Sequence, residues 1–299
     1  MKRRRAAAVA VGAALAILVA GCSSPDDTAA PTPSPTASTP PYDAAFAALE
    51  AEFGSRIGVY AIDTGSDDEI AYRADERFAY ASTFKALAAA AVLQKNDIAD
   101  LDRVVTFSSD ELITHSPVTE LHVESGMTLG ELAEAAVRVS DNTAGNLLLE
   151  ELDGPAGFTT ALRAVGDDVT QAVRWEAGLN DGVPGDPRDT TSPRAFATDL
   201  REFALGDTLT SEKRELLVDW MSGNATGDTL IRAGVPADWT VADKSGSGGY
   251  GVRNNIAVVW PPGREPIVLA VLTTRDSPDA TRDDAVVARA ASIVAESLK

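Results

Sequence analysis

A single cysteine, Cys22, is the only thiol in this 299-residue chain. No disulfide can form within the chain, no thiolate cluster can hold a metal, and if Cys22 is itself modified no cysteine nucleophile remains. Histidine is almost as scarce, with His115 and His122 only. A histidine-based zinc site is therefore not expected, which leaves carboxylate-rich alternatives for any metal. Positive charge is also short: 26 Lys and Arg against 45 Asp and Glu give a net charge of −19. It becomes −23 once the four cations at residues 2–5 are taken away. A surface of that sign repels phosphate backbones, so nucleic acid is not an expected partner. The chain lacks a glycine-rich loop closing on Lys-Ser or Lys-Thr, and it lacks internal repeats, which argues against nucleotide-cradling and solenoid architectures.

What is present begins with apolar mass. With 44% hydrophobic residues the chain can bury a large core, as one big domain or two closely packed ones. Residues 1–21, MKRRRAAAVAVGAALAILVAG, join a basic start to a short apolar run, which reads as a secretory signal rather than a spanning helix. The run ends in Leu18-Val19-Ala20-Gly21-Cys22, which resembles the lipobox of bacterial lipoproteins, where the cysteine is acylated and becomes the first mature residue. The alternative is an ordinary signal followed by a chance cysteine. Residues 22–41 are rich in Pro, Ser and Thr and cannot bury enough surface to fold, so they read as a tether. The expectation is an exported protein held by lipid at Cys22 on the outer face of the cell membrane, or in the periplasm where the host has an outer membrane.

The body is expected to be α/β of the α+β type. "IGVYAIDT" and "EIAYRADERFAY" flank the turn-rich "GSDD", and "NNIAVVW" and "PIVLAVLTTR" flank Pro261-Pro262-Gly263, so hairpins lie near both ends of the body. The middle is helical by pattern: Thr128 and Glu131 form a capping box ahead of "LAEAAVRV", and "GPAGFTTALRAVG" starts with an early Pro and stops at Gly. "DDAVVARAASIVAESLK" is an amphipathic helix able to cover a sheet. The predicted architecture is an antiparallel sheet made from both chain ends (42–80 and 225–299) flanked by helices. An all-helical second domain (81–224) completes it, with a cleft where the two meet.

The segment "AYASTFKALAAAAVL" sets Ser82 and Lys85 three residues apart at the opening of an alanine-rich helix, where they share one face. Desolvation beside an apolar helix lowers a lysine's pKa and fits it to accept a proton from a neighbouring hydroxyl. Alone, the pair is common enough that a capping serine and an exposed lysine is the favoured reading. Two further elements accompany it: Ser140-Asp141-Asn142 at a break between helices, and Lys244-Ser245-Gly246 on an expected strand edge. Each has a plain alternative, a capping loop and a glycine-rich turn. The three in this order are far rarer by chance than any one.

This trio resembles that of the class A serine β-lactamases. "RWEAGLNDGVPGDPRD" adds Arg174, Glu176, Leu179 and Asn180 in the pattern of that family's omega loop (174–189), and the likeness runs from about residue 42 to 299. The resemblance implies a fold shared with penicillin-binding proteins and hydrolysis of the β-lactam ring of penicillins and cephalosporins. It implies Ser82 as nucleophile, Lys85 and Ser140 as proton carriers, and Glu176 with Asn180 holding the water that cleaves the ester. It also implies substrate contacts from Asn142, Lys244, Ser245, Gly246, Ser247 and Arg253, with backbone N–H groups of Ser82 and Ser247 as the oxyanion hole. No cofactor or metal is expected, and a small-molecule β-lactam and the membrane are the expected partners of a monomer. Where many members place an aromatic residue at the cleft mouth this chain has His115, where many have proline after the loop glutamate it has Ala177, and Leu230 stands where some supply an arginine. Penicillin-binding peptidases share the trio but lack counterparts of Glu176 and Asn180. A silent binding module on the same scaffold is the rival from another class, set aside because each catalytic position is occupied by a competent side chain.

Overall fold

"RIGVYAID" has few polar residues to alternate with its apolar ones, and the structure supplies the reason: the strand it forms is covered on both faces. The structure, a computed structural model, describes residues 40–298. The expected signal segment, Cys22 and nearly all of the tether lie outside the described residues. In chain order the elements are α1 (Pro41–Phe53), β1 (Arg56–Asp63), β2 (Glu69–Tyr72), β3 (Phe78–Ala79), α2 (Phe84–Lys95), β4 (Val104–Val105), β5 (Met127–Thr128), α3 (Leu129–Arg138) and α4 (Asn142–Glu151). They continue with α5 (Gly154–Ala164), β6 (Thr190–Thr191), α6 (Pro193–Ala204), α7 (Ser211–Ser222), α8 (Ile231–Gly234), β7 (Thr240–Ser247), β8 (Arg253–Trp260), β9 (Ile267–Thr274) and α9 (Asp284–Ser297).

Five strands form one antiparallel sheet in the order β2-β1-β9-β8-β7, so the N-terminal hairpin is joined to the C-terminal meander through β1 and β9. The period of two along each strand divides its side chains between two cores. Tyr60, Ile62, Ile256, Val258, Val268 and Ala270 point to the side covered by α6 and the helical half. Val59, Ala61, Ala257, Val259, Leu269 and Val271 point to the side covered by α1 and α9. Burying each large aliphatic chain is worth about 1.5 to 3 kcal/mol, and both sets contribute. At Gly58 the sheet and its cover come close together: a Cβ there would lie 2.4 Å from the Phe78 ring and 2.7 Å from Pro193 Cγ.

The helical half is built around α2, whose residues 84–93 are all buried. Its alanines let α3, α4, α5, α6 and α7 approach from several sides, as a helix apolar all round requires. The capping box ahead of α3 is present: Thr128 N donates to Glu131 Oε2 (2.8 Å) and Glu131 N donates to Thr128 Oγ1 (3.2 Å). The 81–224 stretch also contains short ladders that the pattern did not mark. β4 pairs with β5, and β6 pairs with β3, so the expected strand 69–80 is split in two around Arg73 at φ +46°. Two-residue strands are too short to carry a periodicity. β7 closes one edge of the large sheet, and its outer side faces the turn that opens α2.

Candidate active site

Ser82 sits in a 3-10 turn, Ala81–Thr83, that runs directly into α2. Ala81 takes φ +46°, a left-handed conformation that costs a non-glycine residue about 1 to 3 kcal/mol and that clusters at functional sites. Lys85, one turn on, is fully buried. Its Nζ donates to Asn142 Oδ1 (2.6 Å), Ser140 O (2.8 Å) and Ser82 Oγ (3.2 Å), and lies 3.0 Å from Glu176 Oε1. Burial pushes the Lys85 ammonium below its ordinary pKa, and the carboxylates of Glu176 and Asp141 oppose that push. Room for the stem comes from α4, where a Cβ on Gly145 would stand 2.7 Å from Lys85 Cε.

The break between α3 and α4 displays Ser140 at φ +59°, with its Oγ 3.4 Å from Lys85 Nζ. Asp141 between the two polar neighbours is wholly buried and holds the turn together. Its Oδ1 caps α4 through Ala144 N (2.9 Å), and its Oδ2 accepts from Val118 N and Thr119 N (3.0 Å each). Asn142 Nδ2 donates to Thr114 O (2.7 Å), and its backbone N–H to His115 O (3.0 Å), so the helix start and the cleft-mouth segment are tied together.

The omega loop is closed at its neck by Arg174, which pairs with Asp189 and with Asp181 (2.6 Å). Asp189 Oδ1 also accepts from Val173 N (2.8 Å) and Arg174 N (2.9 Å). Inside that neck Glu176 is buried, its backbone held by Asn146 through Glu176 N to Oδ1 (2.9 Å) and Nδ2 to Glu176 O (3.2 Å). The Glu176–Ala177 peptide is cis. Glu176 Oε1 accepts from Ser82 Oγ at 3.2 Å, and Oε2 accepts from Asn180 Nδ2. Asn180 Oδ1 is buried with no donor among the described residues.

β7 forms the opposite wall. Lys244 is fully buried, its Nζ donating to Ser245 O at 2.8 Å. Burial, and then the nearby Lys85 charge, push its ammonium well below the ordinary value. Ser245 Oγ is 2.6 Å from Thr226 Oγ1. Ser247 Oγ accepts from Arg253 Nη1 at 2.9 Å, while Arg253 Nε donates to Asp284 Oδ1 at 2.6 Å. Leu230, the alternative arginine position, is buried in the core behind the sheet.

These walls enclose a cavity of about 410 Å³ lined by Ser82, His115, Ser140, Asn142, Asn180, Ser245, Gly246, Ser247 and Arg253, with Lys85, Lys244 and Glu176 buried beneath. The residues singled out from the sequence in the described region thus converge on one place. Thr226, Arg282 and Asp284 also belong to it and were missed. Asn146 was missed too, as was the buried Asp243, which accepts from Arg232 Nε (2.6 Å), Asn224 Nδ2 (2.7 Å) and Asn255 Nδ2 (2.8 Å) and so braces β7. Thr226, Arg282 and Asp284 lie far in sequence from the residues they serve, whereas Asp243 adjoins Lys244 and Asn146 lies one helical turn past Asn142, so for these two the local signal was present in the sequence. Among the described residues no cluster of metal-ligating side chains occurs.

Comparison with known proteins gives a consistent answer. The profile of the beta-lactamase enzyme family matches residues 41–298. A beta-lactamase of Amycolatopsis lactamdurans is 58% identical over 269 residues, covering 90% of this chain and 89% of that protein. One of Bacillus licheniformis is 48% identical over 298 residues, covering 100% and 96%. Among solved structures, the class A beta-lactamase from Clostridium kluyveri superposes with a TM-score of 0.85 at 50% identity, covering 86% of this chain and 98% of that one.

Proposed function

Because the chain belongs to the class A β-lactamases of the beta-lactamase enzyme family, hydrolysing the β-lactam ring of penicillins and cephalosporins through a serine ester and so conferring antibiotic resistance, we propose the following division of work among its residues. Ser82 Oγ attacks the lactam carbonyl carbon, and its proton passes to Glu176 Oε1, or to Lys85 once that amine is neutral. Both stand 3.2 Å from the hydroxyl oxygen, and this is the observation that carries the assignment. The tetrahedral oxyanion is received by the N–H groups of Ser82 and Ser247, donors each worth about 2.7 to 4 kcal/mol in such sites. Ser140 Oγ delivers a proton to the ring nitrogen as the C–N bond breaks. Lys85, 3.4 Å away, replaces that proton; where the Ser82 proton went to Glu176, the carboxyl passes it on to the Lys85 amine 3.0 Å away, so that Glu176 is a carboxylate and Lys85 an ammonium again before the second step.

Hydrolysis of the ester falls to the omega loop. Glu176 takes a proton from water as its oxygen attacks the ester carbon, and Asn180 Oδ1 offers the acceptor that orients the same water. Ser82 leaves with a proton, restoring the starting state. The substrate carboxylate is met by Ser245, Ser247 and Arg253, above the buried Lys244, and the side-chain amide by Asn142. His115 forms part of the mouth. The assignment is tested by acid-quenching the enzyme during turnover of a slow penicillin and mapping the adduct. The expected label is the whole drug on the peptide containing Ser82, and label on another serine removes Ser82 from the mechanism.

We further propose that the protein is a monomer exported on its N-terminal signal and tethered by lipid at Cys22, since one chain completes the cavity and the Leu-Val-Ala-Gly-Cys run precedes a Pro-rich linker. Cys22→Ser is expected to shift activity from the membrane fraction to the soluble one with turnover unchanged. Wild-type protein found wholly in the aqueous phase of a detergent separation would show the anchor reading to be wrong.

A further inference from the structure

The carboxylate side of the cavity holds more positive charge than the family trio accounts for. Arg253 is bound on one side by Asp284 at 2.6 Å and on the other by Ser247 Oγ at 2.9 Å, so its charge is largely matched by a carboxylate within the wall. Arg282, two residues before Asp284, lines the same cavity. It is exposed and makes no ion pair or side-chain hydrogen bond among the described residues. Its charge is felt at Asp284: burial acts to raise that carboxyl, and Arg253, Thr229 and Arg282 together hold it below the ordinary carboxylate range. Arg253 and Asp284 together come close to neutral, and Arg282 is the further cation of a lining that contains no carboxylate; Asp283 beside it in sequence accepts from Ala285 N (3.0 Å) at the start of α9. In a chain of net charge −19, an unmatched cation beside the cleft is a local inversion of the field that an anion meets.

Resting on the reading that Ser247 and Arg253 receive the ring carboxylate, we propose that Arg282 is a specificity-determining residue favouring β-lactams that carry a second anionic group on the carboxylate side of the bicycle, such as a carboxylate or sulfonate on the C3 substituent of a cephalosporin. The ring carboxylate occupies Arg253 and Ser247. A C3 substituent projects beyond that carboxylate toward the rim, where Arg282 is the unmatched donor. The side-chain amide lies on the Asn142 wall and is not reached by this charge. Because Arg282 is solvent-exposed, its interaction is that of a surface ion pair, modest in size and weakened by salt.

The experiment compares kcat/KM for two cephalosporins with the same acyl side chain, one with a neutral and one with an anionic C3 substituent. The proteins are wild type, Arg282→Gln, Arg282→Glu, Arg253→Ala and Arg201→Glu, the last placing the same charge reversal on α6 away from the cavity. The anionic-to-neutral ratio is expected to fall about three- to fivefold in Arg282→Gln, the upper part of the range of one exposed ion pair, and about tenfold or more in Arg282→Glu. The loss should reside in KM, and the wild-type preference should shrink between low and high salt. A ratio unchanged within twofold in both Arg282 variants overturns the proposal, as does an equal fall in Arg201→Glu, which would reduce the effect to overall charge. Arg253→Ala separates the two readings: kcat/KM unaltered for the neutral-C3 compound removes the carboxylate assignment, whereas the Arg282 ratios report on the specificity assignment alone.

Discussion

Glu176→Gln is expected to convert the enzyme into a trap that acylates and does not release. Glutamine keeps the length of the side chain and one oxygen, but it cannot take a proton from water, and loss of a positioned base costs about 10² to 10⁴ in rate. Acylation has a second route. Burial drives the Lys85 pKa down and the Glu176 carboxylate is the largest influence opposing it, so removing that charge lowers the Lys85 pKa further and leaves more neutral amine 3.2 Å from Ser82 Oγ. The ester should therefore form, more slowly, and then persist. Intact-protein mass spectrometry after mixing with a penicillin is expected to show a long-lived adduct equal to the whole drug. Stopped-flow absorbance should show a burst of about one equivalent followed by turnover at least about a hundredfold slower than wild type. Unchanged steady-state turnover in this variant rules out Glu176 as the hydrolytic base.

The parts of this site that could be read in the sequence are those set by short-range geometry. Ser82 and Lys85 share a face because the helix period puts them there, and Thr128 and Glu131 announce α3 because the capping box is a local device. Ser140 and Asn142 were legible as a displayed pair, yet the work of Asp141 was not, since its partners Val118 and Thr119 arrive from a different segment. Arg253 meets Asp284 across 31 positions, and Thr226 meets Ser245 only because β7 lies beside the 224–230 turn. Nothing in the spacing of such residues encodes those encounters. The sheet was legible because strands buried on both faces form long apolar runs, whereas β3 and β6, two residues each, were not.

One buried pair outside the catalytic machinery carries a large effect of its own. Asp167, before the omega loop, and Asp199, on α6, are both buried, and the Oδ2 atom of each has no partner among the described residues apart from the other carboxyl. Asp167 Oδ1 accepts from Val169 N (2.7 Å) and Thr170 N (2.9 Å), with Arg163 3.9 Å away. Burial first, and then the Asp167 carboxylate, push the Asp199 carboxyl up to about 9, with Arg163 as the opposing charge. The native state keeps this proton where the unfolded chain releases it at the ordinary carboxylate pKa of about 4. The sign follows from linkage: the stability contributed by this group is fully present below about pH 4, and it is lost progressively as pH rises toward 9. In Asp199→Asn the new amide would donate to Asp167 as the protonated acid does, with no proton to lose. That variant is therefore expected to match wild type only below about pH 4 and to exceed it by a margin that widens with pH to several kcal/mol near pH 9, since each pH unit between the unfolded and folded pKa is worth about 1.4 kcal/mol. Urea unfolding of both proteins from pH 5 to 9 measures this directly. Parallel stability curves over that range would mean that Asp199 is already ionised in the fold, and that the two carboxyls share no proton.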